Sequence, residues 1–386
     1  MAVPDWIWFF FIFAFGCCIG SFLNVVIYRL PRDKSLISPP SACTACGKHI
    51  RFYDNIPLIS WLLLGRKCRY CKAPVSPRYF VIELLTGLLF LGLFILYFRT
   101  DLRTGMPSFL QGGWFIYLLH IILLAAFIAA SAIDLEMWVI PLSICWFVTA
   151  AGLLGSALGG YIIDPAVIRR YALLPGASAG TASLAAGAAI GLAISWVFLA
   201  TGLIKRSYES DDSQNSTEQP EELTEQQFNH RLEACREIIF LLPIIICSAA
   251  AYWISRKSSV IQSFDFSQHP VIAGLLGSLW GYFVGCGIVW ATRIFGTLAF
   301  GKEAMGLGDV HLMGAAGAVI GPILTVVAFF IAPFFGLAWA GSQMFFKKTR
   351  QIPYGPFLSL GIFAVMILHN RIYSLIVDYL LFSIYD

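Results

Sequence analysis

The sequence predicts an all-α polytopic membrane protein, and three observations carry that prediction. Of its 386 residues 58% are hydrophobic and only 12% are charged, where soluble domains carry about 25% charged residues. Its mean hydropathy is +0.76. Apolar runs long enough to cross a bilayer core, which takes roughly 20 helical residues, recur from one end of the chain to the other. Together they predict about 9–10 transmembrane helices.

The first run, WIWFFFIFAFGCCIGSFLNVVIY (Trp6–Tyr28), is longer than a signal-peptide core. It has neither a basic leading region nor a small-residue cleavage site, so it is expected as a retained helix. Further helices are expected near 80–98, 114–133, 138–160, 177–203, 238–254, 271–298, 309–321, 323–346 and 356–378. The 309–321 piece is short for a span, and Gly321-Pro322 makes a natural break after it.

Orientation follows from the loops. Residues 29–78 carry ten Lys and Arg against two Asp, whereas the six residues before Ile7 carry no base. Basic loops stay in the cytoplasm, so the N-terminus is expected outside and this loop inside. Counting spans forward puts Asp134, Lys205-Arg206, Asp309 and FFKKTR (Phe345–Arg350) on the cytoplasmic side too, with Arg256 and Lys257 as the exception. The stretch Lys205–Glu237 is acidic and rich in Ser, Gln and Glu, and its 208–226 centre reads as a solvated linker.

The basic loop, 29–79, holds CTAC (Cys43, Cys46) and CRYC (Cys68, Cys71). Two C-x2-C pairs separated by 21 residues have the pattern of a four-thiolate zinc site. Disulfides rarely persist in the cytoplasm, and no βαβ pattern surrounds the pairs as a redox motif would require. The expected fold therefore includes a cytoplasmic zinc-binding loop between helices 1 and 2. Four thiolates leave no open position for water, so the Zn2+ would be structural. The six other cysteines (17, 18, 145, 235, 247, 286) read as packing residues.

Two acids sit at helix ends beside the membrane. Asp134 follows the apolar run 114–133 in SAIDLEMWVIP, and Asp309 lies in GKEAMGLGDVHLMGAAGAVIG (Gly301–Gly321), where it resembles a helix N-cap. They are 175 residues apart but at the same expected depth. Carboxylates within a membrane cost a few kcal/mol and so point to function. A close pair cannot both ionise: one holds a proton while the other acts as base, the arrangement of an aspartic protease. Gly306 and Gly308 would let the backbone approach an extended substrate.

The Gly301–Gly321 segment strongly resembles the GxGD block of the type IV prepilin peptidases. The resemblance continues through GSFLNVVIYRLP (Gly20–Pro31), both CxxC pairs, NIPLISWLLLGRKCRYC (Asn55–Cys71), SPRYFVIELLTGLLF (Ser76–Phe90), AIDLEMWVIP and IPYGPFLSLG (Ile352–Gly361), covering 6–160 and 271–378 in the family's order. It implies a membrane aspartyl endopeptidase with Asp134 and Asp309 as the catalytic pair, and Gly306, Gly308, His311 and Glu136 in supporting positions. It also implies cleavage of the basic leader of type IV prepilins or type II secretion pseudopilins at the cytoplasmic face of the bacterial inner membrane. Methylation of the new N-terminus with S-adenosylmethionine goes with the family, at a region where Gly20, Asn24, Arg29 and Glu83 match.

The chain departs from the family pattern in two places. Leu142 stands where Asp or Asn often follows the IP, and His311 stands where Lys is common. On this reading 1–98 is the methyltransferase-like region, and 99–160 with 271–386 forms the protease core. Residues 161–270 are then an inserted helix pair with the 205–237 linker, whose Gly/Ala-rich segment Gly176–Ser195 suits close helix packing. The partners expected are membrane lipid and the substrate, with no nucleic acid. Alternatives are a transporter, which would bring inverted repeats and mid-span polar groups that are not seen, a protease-only member, or an inactive assembly protein, which would lack one of the aspartates.

Overall fold

The computed structural model describes residues 4–100, 102–204, 230–266, 268–345 and 353–376, and they form helices joined by loops, with no strand longer than an isolated bridge. The basic linker ends Lys205-Arg206, the acidic centre 208–226 and the basic residues of FFKKTR lie outside the described residues.

Helix α1 (Asp5–Arg29) carries an acid in its first turn and a base in its last, both favourable to the helix dipole. A loop with the short α2 (Ile59–Leu63) leads to α3 (Pro77–Phe98), whose start is set by the Ser76 side chain accepting from Arg78 N–H and by Pro77 at the first position. Next come α4 (Gly113–Met137), α5 (Leu142–Ile162) and the short α6 (Pro165–Arg170). The following pair is α7 (Ala179–Ala200), opened by a Ser178–Thr181 capping box, and α8 (His230–Lys257). After the one-turn α9 (Ser259–Ser263) come α10 (Pro270–Phe300), α11 (Leu307–Ile320), α12 (Pro322–Phe345), α13 (Gly355–Ile367) and α14 (His369–Ile376).

Eight of the described helices are long and apolar enough to span a membrane, and α13 with α14 forms a ninth candidate bent by 74°. This is a multi-pass membrane protein. The last expected span, 356–378, is therefore broken: α13 ends at Ile367, and its final residues fall outside the described ones. The span expected from 138 starts instead at Leu142. Trp138 terminates α4 in a left-handed conformation (φ 58°), and Pro141 caps the next helix. Among the described residues helix α8 is already formed at His230, eight residues before the apolar run alone indicated.

Helix α11 is the centre of the bundle. At 14 residues it is about 21 Å long, too short to cross, yet eleven of those residues are buried. Small residues allow this. A Cβ on Gly152 of α5 would stand 2.7 Å from the Ala318 carbonyl, and one on Gly285 of α10 would stand 3.0 Å from Gly314 Cα. The Gly/Ala-rich helix α7 packs on α8 in the same way, with Gly187 against Ser248 Cα. Among the long spans α4 is the most enclosed and α8 the least, 72% against 6% of their most apolar windows.

Candidate active site

Asp134 lies in the last turn of α4 and Asp309 in the first turn of α11, and both are buried, 6% and 8% exposed. Asp309 is the third residue of its helix rather than its N-cap; Gly306 takes the cap position. From there the Asp309 carboxylate turns back toward the Gly306 backbone, 3.5 Å from where a Cβ on that glycine would stand. Its Oδ1 is buried without a hydrogen-bond partner.

The start of α13 joins the two acids. Gly355 N–H donates to Asp134 Oδ2 at 3.1 Å, and the neighbouring Tyr354 lies within electrostatic reach of Asp309. Ser131 and Ser359 bridge α4 to α13 one turn further in, at 2.9 Å. Ile140, from the turn after Asp134, wedges between the parts: a Cβ on Gly308 would meet Ile140 Cβ at 2.8 Å, and one on Gly355 would meet Asp134 Oδ2 at 2.6 Å. Glycine is the residue that fits at both places. Asp134 in turn acts electrostatically on Asp309. Two carboxyl groups 175 residues apart thus converge at one end of the bundle.

His311 and Glu136 do not join that pair. His311 is held by the Tyr282 hydroxyl at 3.2 Å and lies against the Trp146 ring. Glu136 points the other way and pairs with Arg78 at the start of α3. Gly355, Tyr354 and Ile140 were not expected in the site. The sequence signal was the quoted IPYGP and WVIP, whose roles need the packing of α13 on α4.

The Arg78–Glu136 pair marks the border with a cavity of about 710 Å³ beneath the loop that follows α1. Asn24, Arg29 and Glu83 line it together with Cys43, Cys68 and Trp61. Asn24 Nδ2 donates to the Gly20 and Tyr79 carbonyls, while its Oδ1 is buried without a partner. Glu83 is buried, and its Oε2 accepts Leu58 N–H at 2.8 Å, from a residue held at φ 60°. Gly20 does not line the cavity. It lets α1 approach α3, since a Cβ there would be 2.7 Å from Glu83 Cα. Arg29 serves the loop, donating to the Ser35 and Pro39 carbonyls at 2.9 and 2.6 Å.

The four loop cysteines come together, with their sulfurs all within 4.8 Å of one another. They form two matching knuckles. Cys43 N–H donates to Lys48 O and Cys68 N–H to Ala73 O, at 2.9 and 2.8 Å, and the bridges Ala42–His49 and Lys67–Pro74 fall at the same offsets. Each knuckle turns on a left-handed residue after its second cysteine, Gly47 in one and Lys72 in the other. Sulfurs about 2.3 Å from a common tetrahedral centre stand about 3.8 Å apart, and Cys43 and Cys71 are 3.8 Å apart. The four free thiols fit a metal.

Paired buried carboxylates and a four-thiol loop therefore lie at the same end of a helical membrane protein. Residues 14–97 match the bacterial peptidase A24 N-terminal domain, and residues 238–341 match the type IV leader peptidase family. The chain is 42% identical over 134 residues to the prepilin leader peptidase/N-methyltransferase of Myxococcus xanthus, covering 34% of this chain and 36% of that protein. It is 34% identical over 181 residues to the protein of that name from Aeromonas hydrophila (41% and 58%). With the Klebsiella pneumoniae protein it is 33% identical over 222 residues, 52% of this chain and 91% of that protein. The chain belongs to the type IV leader peptidase family. It spans between about a third and three fifths of the length of the first two relatives. No solved structure matches it. Asp309 falls inside the second matched stretch, Asp134 falls between the two, and the second stretch opens within α8.

Proposed function

We propose that this protein is a membrane-embedded aspartic endopeptidase of the bacterial inner membrane. It would remove the basic leader of type IV prepilins or type II secretion pseudopilins at the cytoplasmic face and methylate the new N-terminus. The observation that carries the peptidase reading is the meeting of Asp134 and Asp309 at the N-terminus of α13, buried and within electrostatic range. Family membership and the names of the relatives support the same reaction.

In this mechanism one of Asp134 and Asp309 takes a proton from water while the other protonates the departing amine. Gly355 N–H fixes the Asp134 carboxylate, and Gly306 and Gly308 leave room for an unwound substrate strand. The positive-inside rule puts this end of the bundle in the cytoplasm with the basic loop 29–79, where a basic leader would meet the lipid headgroups. Cys43, Cys46, Cys68 and Cys71 would hold a structural Zn2+ that shapes the loop over the substrate entrance.

The second activity fits the cavity under that loop, whose 710 Å³ lies within the range of small-ligand sites. S-adenosylmethionine, when bound, supplies the methyl group. Glu83 and the free Asn24 Oδ1 would orient the cationic donor or the new amine, and the Trp61 face would shield the site from water. The 161–270 segment is read as an addition to this core, with its last part, from residue 238, lying inside the family match.

The test is cleavage of a co-expressed prepilin by wild type and by Asp134→Asn and Asp309→Asn variants, each confirmed folded, with mass spectrometry of the product. Wild-type cleavage with both variants inactive is expected, with one methyl group on the new N-terminus. Cleavage by either variant would remove that residue from the pair.

A further inference from the structure

Arg293 is a full cation placed two turns before the end of the span α10, yet it is 1% exposed. A buried guanidinium needs its charge and its donors matched, and this one is matched from three directions. Its Nε donates to both carboxylate oxygens of Glu237 at 3.0 and 3.2 Å. Its Nη1 donates to the Glu303 carboxylate and to the Met305 backbone carbonyl. Glu237 comes from α8, is 5% exposed, and is fixed again by Trp290 Nε1–H at 2.9 Å.

Met305 immediately precedes Gly306, the N-cap of α11, and Asp309 is the third residue of that helix. The segment between them, Gly-Leu-Gly, offers little side-chain packing: Leu307 is 41% exposed and the glycines have none to offer. What anchors the segment on its upstream side is the Met305 carbonyl on Arg293, aided by Ala304 N–H on Thr297 Oγ1 at 3.3 Å. Arg293 also acts electrostatically on Asp309.

We infer that Glu237 and Arg293 are positioning residues for Asp309: α8 holds the guanidinium, the guanidinium holds the Met305 carbonyl, and that carbonyl sets where α11 begins. The inference rests on the reading of Asp309 as a catalytic carboxylate. It gives the peripheral helix α8, the least enclosed of the spans, a part in the chemistry. Without Glu237 the buried guanidinium would lose the carboxylate that holds its Nε, and would be drawn toward the more exposed Glu303. Met305 would be released and Asp309 would turn.

The experiment uses the full-length enzyme in detergent with a purified full-length prepilin as substrate, comparing wild type, Glu237→Gln, Arg293→Lys and Asp309→Asn. Misplacing a reacting group by about 1 Å costs on the order of 100-fold. Glu237→Gln is therefore expected to lower kcat about 10- to 100-fold with KM within about twofold. Arg293→Lys keeps the charge but lacks the fork that reaches Glu237 and Met305 together, so it is expected between wild type and Glu237→Gln. Amide hydrogen exchange supplies a readout independent of activity: in Glu237→Gln, exchange should quicken over residues 303–310 and stay unchanged in loop 29–79. Wild-type kcat in Glu237→Gln overturns the inference. So does exchange quickened equally across α7, α8 and α10, which would mean a merely structural role. If Asp309→Asn cleaves like wild type, the catalytic reading has failed instead, and local exchange at 303–310 alone decides whether the clamp exists.

Discussion

The cavity under the loop and the carboxylate pair, at the same end of the molecule, are held together by opposite means. The loop over α1 and α3 is built from neighbours in sequence: two knuckles with matching turns, four thiols, and carbonyls collected by Arg29. Its buried acid, Glu83, is satisfied by a backbone N–H. The carboxylate pair is built from residues 175 positions apart that meet only because α11 is enclosed by α4, α5, α10, α12 and α13. There Asp309 keeps one oxygen buried without a donor. The loop gathers four thiols that fit a metal, and the core depends on close helix packing. Each region thus keeps one buried oxygen without a donor, Asn24 Oδ1 in the first and Asp309 Oδ1 in the second, a cost that a bound substrate or a reaction would offset.

The largest expected effects separate the two regions cleanly. Asp134→Asn and Asp309→Asn should each lower prepilin cleavage by about 1,000-fold or more. Glu83→Gln should lower methylation by about 100-fold while cleavage stays within about twofold. Loss of both activities in Glu83→Gln, measured on the same product by mass spectrometry, would mean that the two regions act as one site. Next in size, Gly355→Ala puts a Cβ 2.6 Å from Asp134 Oδ2. Cleavage should fall about 10- to 100-fold in a folded protein, with methylation of a pre-cleaved pilin unaffected. The comparison is sharpened from the other side by Cys43→Ser with Cys46→Ser. Metal content should be lost, and limited proteolysis should open the loop within 33–75 while the helices stay protected. Unchanged metal content would remove the four-thiol site.

How much of this was legible in the sequence follows the same division. The thiol site was legible because its ligands, spacing and turns are local, and the spans were legible because hydropathy is read one segment at a time. Asp134 and Asp309 could be named from their motifs, but Gly355 could not be given a role. Its N–H reaches Asp134 only through the packing of α13 on α4, over 221 residues. Glu136 was named among the supporting positions by the family resemblance, and its pairing with Arg78 could be seen only in the fold. Asp309 resembled an N-cap, and the helix starts earlier because Gly306 can take that position. The Arg293–Glu237 pair escaped notice although a charged residue inside an apolar run is itself a signal; its partner lay on a helix whose first turns are too polar to join a hydropathy window.

The smallest effect tests whether the loop also relies on charge. Asp54 accepts from Arg69 Nε at 2.8 Å and from the neighbouring Nη2, tying the turn at 52–55 to the residue after Cys68. The Arg69 hydrogen bond holds the Asp54 carboxyl below the usual carboxylate range. A carboxyl lowered in the folded state stabilises fully above its ordinary value, about 3.9, and loses that contribution as pH falls through the lowered one. Between pH 8 and 5.5 the pair should therefore act at constant strength. Arg69 is half in water, so the pair is worth little and weakens with salt. Asp54→Asn is expected to speed metal release to a chelator by no more than a few-fold, and the ratio to wild type should stay flat across that pH range while release itself quickens in both as thiolates protonate. A ratio that collapses between pH 8 and 6 would show that some other group, titrating near neutrality, holds the loop.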